Sequence, residues 1–201
     1  MRTLALIACV ALLGSCLTSP VPEMPRLASA EVSPDYFGSG FRRVGILPFK
    51  GHELRDSLSV DLQKSMQFEV ARATRYELVL LSSVDFEGVD RSDPHRRGWY
   101  HPQTVIELAQ RYSLDAILFG TVTEERFYTP QLLALTVDLV SAETGLVVWS
   151  SNIHLDANDT RVKEGLHAYY ADTENPDSWR ISMISPERFA RFAAYQVARM
   201  F

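Results

Sequence analysis

Apolar positions recur along residues 41–201 at spacings that predict alternating strands and helices. Residues 53–74 contain no Gly or Pro, and apolar residues at every fourth position draw one stripe along a helix. The stripe consists of Leu54, Leu58, Leu62, Met66 and Val70. The apolar segments 41–49 and 76–81 flank this helix, and we expect both of them to be strands.

The second half of the chain continues this alternation. A short helix is predicted from Pro102 to about Ser113, and residues 116–122 are apolar on both faces, as in a central strand. Two alternating segments then flank a turn at 141–145, where Gly145 favours a hairpin. A last helix is predicted to start at Ser185-Pro186, because a capping residue followed by proline is typical of a helix N-terminus.

These elements predict one α/β (α+β) domain over residues 41–201, in which a mixed sheet packs against helices in the order β-α-β-α-β-β-β-α. Residues 82–101 and 156–184 are polar and broken by Gly or Pro, and we interpret both segments as long connections.

The leader has the pattern of an export signal. Arg2 precedes ten apolar residues at 4–13, which is about half of the length that a membrane-spanning helix needs. The residues that follow, Leu13, Gly14, Ser15 and Cys16, resemble a bacterial lipobox. The resemblance implies a signal peptide at 1–15 and acyl chains on Cys16, and several chains together give stable anchoring in a membrane.

Residues 16–40 are interpreted as the lipidated cysteine and a flexible tether. Four prolines keep this segment extended, and Gly38 and Gly40 free its end, so no packed element is expected. At about 3.1 Å per residue the tether would reach roughly 70 Å. Leu17 stands where an aspartate would resemble an inner-membrane retention signal, so the resemblance favours a location at the outer membrane, facing the periplasm.

Charge and cysteine content exclude several classes of function. The net charge of −5 provides no broad basic surface for nucleic acid. Both cysteines, Cys9 and Cys16, lie in the leader region, so the domain has neither a disulfide nor a thiolate metal site. The sequence also lacks the common nucleophile, phosphate-loop, zinc-protease and dinucleotide motifs, and we expect no cofactor and no catalytic residue.

Two pairs of ionisable residues are candidate sites. His95 and His101 flank Arg96-Arg97, and this loop could bind an anion or, through its two histidines, a metal. A solvated loop is favoured over both, because no third ligand lies nearby. Glu124 and Glu125 are adjacent on an extended segment, and their side chains are expected to diverge instead of sharing a proton.

Three segments in order resemble a known family: residues 44–49 (VGILPF), 107–124 (ELAQRYSLDAILFGTVTE) and 137–150 (VDLVSAETGLVVWS). Behind a lipobox they resemble the periplasmic domain shared by the curli-secretion channel lipoproteins (CsgG-like) and the penicillin-binding-protein activator lipoproteins (LpoB-like). The resemblance implies a lipid-anchored envelope protein that forms a complex with other proteins or with further copies of itself.

Three functions follow from these observations. The favoured one is a non-catalytic binding or assembly factor for a cell-envelope complex. The alternatives are a subunit of an oligomeric CsgG-like secretion channel and an envelope enzyme. The channel alternative is disfavoured because residues 82–101 and 156–184 are too rich in charge and proline to form lipid-facing membrane strands.

Aromatic residues in the two long connections are the candidate partner surface: Trp99, Tyr100, Tyr169, Tyr170 and Trp179. Aromatic side chains are enriched at protein interfaces. Folding of Trp99 and Tyr100 onto the domain is favoured for the first connection. For Tyr169, Tyr170 and Trp179, contact with a partner and coverage of the sheet remain equally open.

Overall fold

The computed structural model describes residues 23–52, 54–86, 101–171 and 178–201. The predicted signal peptide, Cys16, Trp99 and Tyr100 lie outside these residues. The strands are β1 (Ala28–Val32), β2 (Arg43–Ile46), β3 (Lys50–Gly51), β4 (Glu77–Leu80), β5 (Ala116–Arg126), β6 (Leu132–Ser141) and β7 (Val147–Asp156). The helices are α1 (Pro34–Gly38), α2 (Asp56–Ala73), α3 (Pro102–Tyr112), α4 (Thr160–Tyr169), α5 (Ser178–Ser182) and α6 (Pro186–Ala198).

The strands form one mixed sheet in the order β1-β7-β6-β5-β2-β4, and β3 continues beside β5. Strand β2 is parallel to β4 and β5, whereas β1, β7, β6 and β5 are joined by antiparallel pairing. The predicted fold class, a mixed sheet packed with helices, is confirmed.

Helices cover both faces of the sheet. On one face the apolar stripes of α2, α4 and α6 pack on the larger core, to which β5 contributes Leu118. On the other face α3 packs on a smaller core, to which β5 contributes Ile117 and Phe119. The central position predicted for residues 116–122 is therefore confirmed, although β5 extends further, to Arg126.

Local signals placed several elements correctly. The apolar residues at every fourth position lie along one face of α2, where Leu58, Leu62, Met66 and Val70 are buried. Gly145 adopts a φ of 69° in the β6–β7 turn, a conformation that favours glycine. The Ser185 side chain accepts a hydrogen bond from the Arg188 backbone at the start of α6.

The predicted tether at 16–40 is wrong in its second half. Residues 28–32 form β1, which pairs with the edge of β7 from Ala28 opposite Ile153 to Val32 opposite Trp149. A short helix, α1, follows and is capped by Ser33. The partner strand lies more than 115 residues away, so no local pattern reveals this pairing. The folded domain therefore begins well before residue 41.

Two further boundaries differ from the prediction. The connection predicted at 156–184 contains two helices, α4 and α5. Gly165 in α4 permits this packing, since a Cβ atom there would lie 2.7 Å from the Phe192 ring. The first predicted strand, 41–49, is shorter in the structure, where β2 ends at Ile46 and β3 follows the proline.

Candidate interaction surface

A buried carboxylate lies beneath the outer surface of the helical layer. The side chain of Glu69 on α2 is only 1% exposed. The Tyr169 hydroxyl donates a hydrogen bond of 2.5 Å to Glu69 Oε1, and Arg191 Nε lies 3.6 Å from the same oxygen. Arg72 Nη1 lies 3.5 Å from Glu69 Oε2. Burying an unpaired carboxylate would be costly, so these groups together compensate for the burial of Glu69 inside the layer.

Tyr169 and Tyr170 pack into the helical layer. The Tyr169 ring lies 4.7 Å from that of Tyr170 and 4.5 Å from that of Tyr195 on α6. The Tyr170 hydroxyl donates to the Arg188 carbonyl at 2.9 Å, and the Arg188 guanidinium lies 4.3 Å from the Tyr170 ring centre. Burial, together with the bond to Glu69, raises the pKa of the Tyr169 hydroxyl. Both rings therefore cover the core, and only part of each contacts solvent.

Trp179, on α5, lies beside this aromatic group. Its ring is 5.5 Å from the His167 ring, and the Ser178 hydroxyl donates to the Tyr170 carbonyl at 3.3 Å. The structure thus brings together Tyr169, Tyr170 and Trp179 from the predicted partner surface.

Sequence reasoning missed a run of cationic side chains on the same side of the molecule, which we call the arginine face: Arg26, Arg72, Arg161, Arg191 and Arg199. The guanidinium groups of Arg191 and Arg72 lie 4.5 Å and 5.6 Å from the Phe68 ring centre, and that of Arg199 lies 5.7 Å from the Tyr195 ring centre. These residues belong to the N-terminal segment and three separate helices, so no sequence window displays them together.

A second exposed region is formed by the connection between β5 and β6, which we call the β5–β6 tip. Tyr128 is 75% exposed, and the Arg126 guanidinium lies 6.0 Å from its ring centre. Arg126 Nε also donates to the Pro130 carbonyl at 2.9 Å, which holds the connection in place. The Arg55 guanidinium lies 5.7 Å from the Phe127 ring centre on the side of the α2 N-terminus.

Two polar side chains at the base of the tip have buried atoms without a hydrogen-bond partner among the described residues. They are Glu125, through Oε2, and Gln131, through both amide atoms. Burial raises the pKa of the Glu125 carboxyl, and the nearby charge of Arg55 partly offsets this effect. Glu125 lies opposite Leu133 and Glu124 opposite Ala134, so the two carboxylates lie on opposite faces as predicted.

The described residues contain neither a cluster of metal ligands nor a membrane-spanning helix. No group of three or more His, Cys, Asp or Glu side chains in these segments is placed to hold a metal ion. Within the same segments, no helix has the length and apolar character needed to cross a bilayer.

No protein-family model matches the sequence, and no curated protein matches it. Several solved structures are similar. A PelC dodecamer from Paraburkholderia phytofirmans aligns with a TM-score of 0.47 and 14% identity, over 69% of this chain and 87% of that chain. Lipoprotein GNA1162 from Neisseria meningitidis gives a TM-score of 0.42 and 18% identity, over 59% and 86% of the two chains.

The LpoB C-terminal domain from Salmonella enterica, a member of one family that the sequence resembles, gives a TM-score of 0.39 and 14% identity. It covers 56% of this chain and 81% of that chain. These similarities concern only part of the backbone fold and identify neither a family nor a function.

Proposed function

We propose that this protein is a periplasmic lipoprotein, held at the outer membrane by acyl chains on Cys16, which acts by binding other envelope proteins and not by catalysis. The observation that carries the proposal is Cys16 itself. It follows an apolar run and two small residues, and a folded domain begins a few residues later. Such an arrangement suits a domain that works beside a membrane.

The β5–β6 tip supports the binding role. Exposed aromatic residues next to arginine are typical of the few side chains that dominate binding energy at interfaces. Each buried polar atom left unpaired costs about 1–3 kcal/mol, and a partner that supplied a donor to Glu125 would remove part of this cost. We therefore place the protein contact at Tyr128 and its neighbours.

The anchor is tested by membrane fractionation and intact-mass measurement of the mature protein. Wild type is expected in the outer-membrane fraction with the mass of the acylated chain from Cys16. Cys16→Ser is expected to lose the acyl mass, whereas the matched control Cys9→Ser, in the same leader, should keep it. A wild-type mature chain without fatty acid would refute the anchor.

The contact is tested by incorporating a photo-crosslinking amino acid at position 128 in cells. The control is position 84, where Val84 is another exposed apolar residue, at 64% exposure. We expect adducts with an envelope protein or with a second copy of this chain from position 128 only, and we expect Tyr128→Ala to weaken the captured complex. Equal labelling from both positions, or none from position 128, would refute this placement.

A further inference from the structure

The chain between Cys16 and the domain is short. Arg199 Nη1 donates to the Pro25 carbonyl at 3.1 Å, and the Leu27 amide donates to Gln196 Oε1 at 3.3 Å. The chain is therefore fixed to α6 from residue 25 onward. Only nine residue steps separate Cys16 from Pro25, which span at most about 32 Å even when fully extended.

This reach is smaller than the domain. A domain of about 180 residues has a radius of gyration of about 16 Å and is thus roughly 40 Å across. With Cys16 held at the bilayer surface, the domain cannot turn its far side to the membrane. The side that meets the bilayer is the one around residues 23–26, and this conclusion rests on the proposed lipid anchor.

The arginine face starts on that side. Arg26 is exposed, and Arg161 Nη2 donates to its carbonyl oxygen at 3.0 Å. Arg199 lies next to it, through its bond to Pro25, and its guanidinium also lies near the Tyr195 ring. The guanidinium groups of Arg161 and Arg199 thus bind the backbone at the point where the chain leaves the domain, next to the exposed Arg26.

A series of side-chain contacts connects this point to the rest of the arginine face. The Tyr195 ring contacts that of Tyr169, whose hydroxyl donates to Glu69, and this carboxylate lies near both Arg72 and Arg191. The last two guanidinium groups lie near the Phe68 ring, which is 46% exposed.

The charges on this side favour an anionic surface. The five arginines are accompanied by four carboxylates: the buried Glu69, and the exposed Glu23 on the exit segment, Asp159 at the N-cap of α4 and Glu164 on α4. The side is therefore positive, although the whole chain carries a net charge of −5. Guanidinium groups bind phosphate in a bidentate manner, and aromatic rings are favoured at the headgroup level of membranes.

We propose that the arginine face binds the anionic phospholipid headgroups of the same leaflet that holds the acyl chains on Cys16. The lipid anchor brings the face to the bilayer, and the arginines set the orientation of the domain upon it. A single acylated residue would otherwise leave the domain free to rotate about its short connection. In the bound orientation the face points toward the membrane.

The test uses flotation of the mature chain carrying Cys16→Ser, exported with a non-lipoprotein signal peptide, so that binding does not depend on acylation. Vesicles of phosphatidylethanolamine and phosphatidylglycerol in a 3:1 ratio are compared with pure phosphatidylcholine at about 100 mM salt. We expect binding to the anionic vesicles only, and its loss at about 500 mM salt, because added salt screens surface charge.

The decisive variant is Arg26→Gln with Arg161→Gln, which removes two exposed charges and leaves the contacts of Glu69 intact. At a factor of about five for each arginine near the surface, the vesicle partition coefficient should fall about 30-fold. The charge-matched control is Lys50→Gln with Arg111→Gln, on β3 and on α3 across the sheet. This control should change the vesicle partition coefficient less than threefold. Circular dichroism of each variant verifies that the fold is intact.

The inference is overturned if the unacylated chain fails to bind anionic vesicles, if it binds both vesicle types equally, or if the two double variants change its binding by the same factor. The mass measurement on wild type is separate from these results. An acylated protein whose unacylated form fails to bind vesicles would retain the proposed function and lose only this inference, whereas a bare Cys16 would remove the anchor itself.

Discussion

Replacing Tyr169 with phenylalanine isolates the contribution of one hydroxyl group to the stability of a buried carboxylate. The hydroxyl lies 2.5 Å from Glu69 Oε1, whereas the two guanidinium nitrogens lie 3.5 Å and 3.6 Å from the carboxylate, beyond ordinary hydrogen-bond length. The side chains of Arg72 and Arg191 are 63% and 47% exposed, so water weakens their attraction to Glu69. The phenol is therefore the strongest contact of this carboxylate.

A hydrogen bond to a charged group contributes about 1.5–3 kcal/mol, so Tyr169→Phe should lower the free energy of unfolding by about 2 kcal/mol. The same substitution at two other tyrosines gives stability losses for comparison. Tyr170→Phe removes a bond to the neutral Arg188 carbonyl and should cost about 1 kcal/mol. The Tyr195 hydroxyl has no hydrogen bond to the described residues, and Tyr195→Phe should cost less than about 0.5 kcal/mol.

The measurement is equilibrium urea unfolding at pH 7 and 25 °C, followed by circular dichroism and by tryptophan fluorescence. A double-mutant cycle with Glu69→Gln should give a coupling energy of about 1 kcal/mol or more between positions 69 and 169. A loss at Tyr169→Phe no larger than that at Tyr195→Phe, with no coupling to position 69, would refute the role assigned to this hydroxyl.

Three further predictions concern the core and its ionisable groups. Gly120→Ala would place a Cβ atom 2.2 Å from the buried Phe49 ring, so it should cost about 1–3 kcal/mol in urea unfolding, and an unchanged midpoint would contradict the packing. Burial raises the pKa of Glu125, so the native state binds its proton more tightly and stability falls as pH rises above the ordinary carboxyl value. Glu125→Gln should flatten this decline between about pH 4.5 and 7 and raise the free energy of unfolding at pH 7 by up to about 1 kcal/mol. A steeper decline in the variant would count against a raised pKa at Glu125. Burial and the hydrogen bond with Tyr36 raise the pKa of Tyr76, so stability present below about pH 10 is lost as pH rises further. Tyr76→Phe should make this alkaline loss shallower in pH-dependent unfolding.

Elements with strong local patterns were predictable from the sequence. The stripe of α2, the glycine of the β6–β7 turn and the Ser185 cap of α6 each depend on residues close together in the chain. Their physical causes, apolar periodicity, positive φ and satisfaction of free backbone amides, act within one or two turns. The fold class followed from these elements in order.

The misplaced elements depend on distant partners. Strand β1 consists mainly of small residues and becomes a strand because it completes the edge of β7. Helix α4 contains Gly165, which weakens the local helical signal and is needed because the Phe192 ring lies against it. The cluster around Glu69 was not predicted either, because its members come from three helices and only the fold brings them together.

The N-terminal edge strand has a mechanical consequence. Any tension between the membrane and a bound partner would enter the domain through residues 23–32, which are held by the β1–β7 hydrogen bonds and by contacts with α6. If this segment peeled away while the rest of the sheet stayed folded, the linker would lengthen by ten residues, or about 35 Å. Detachment of β1 would then act as an extensible link that lets the protein cross a wider gap under load.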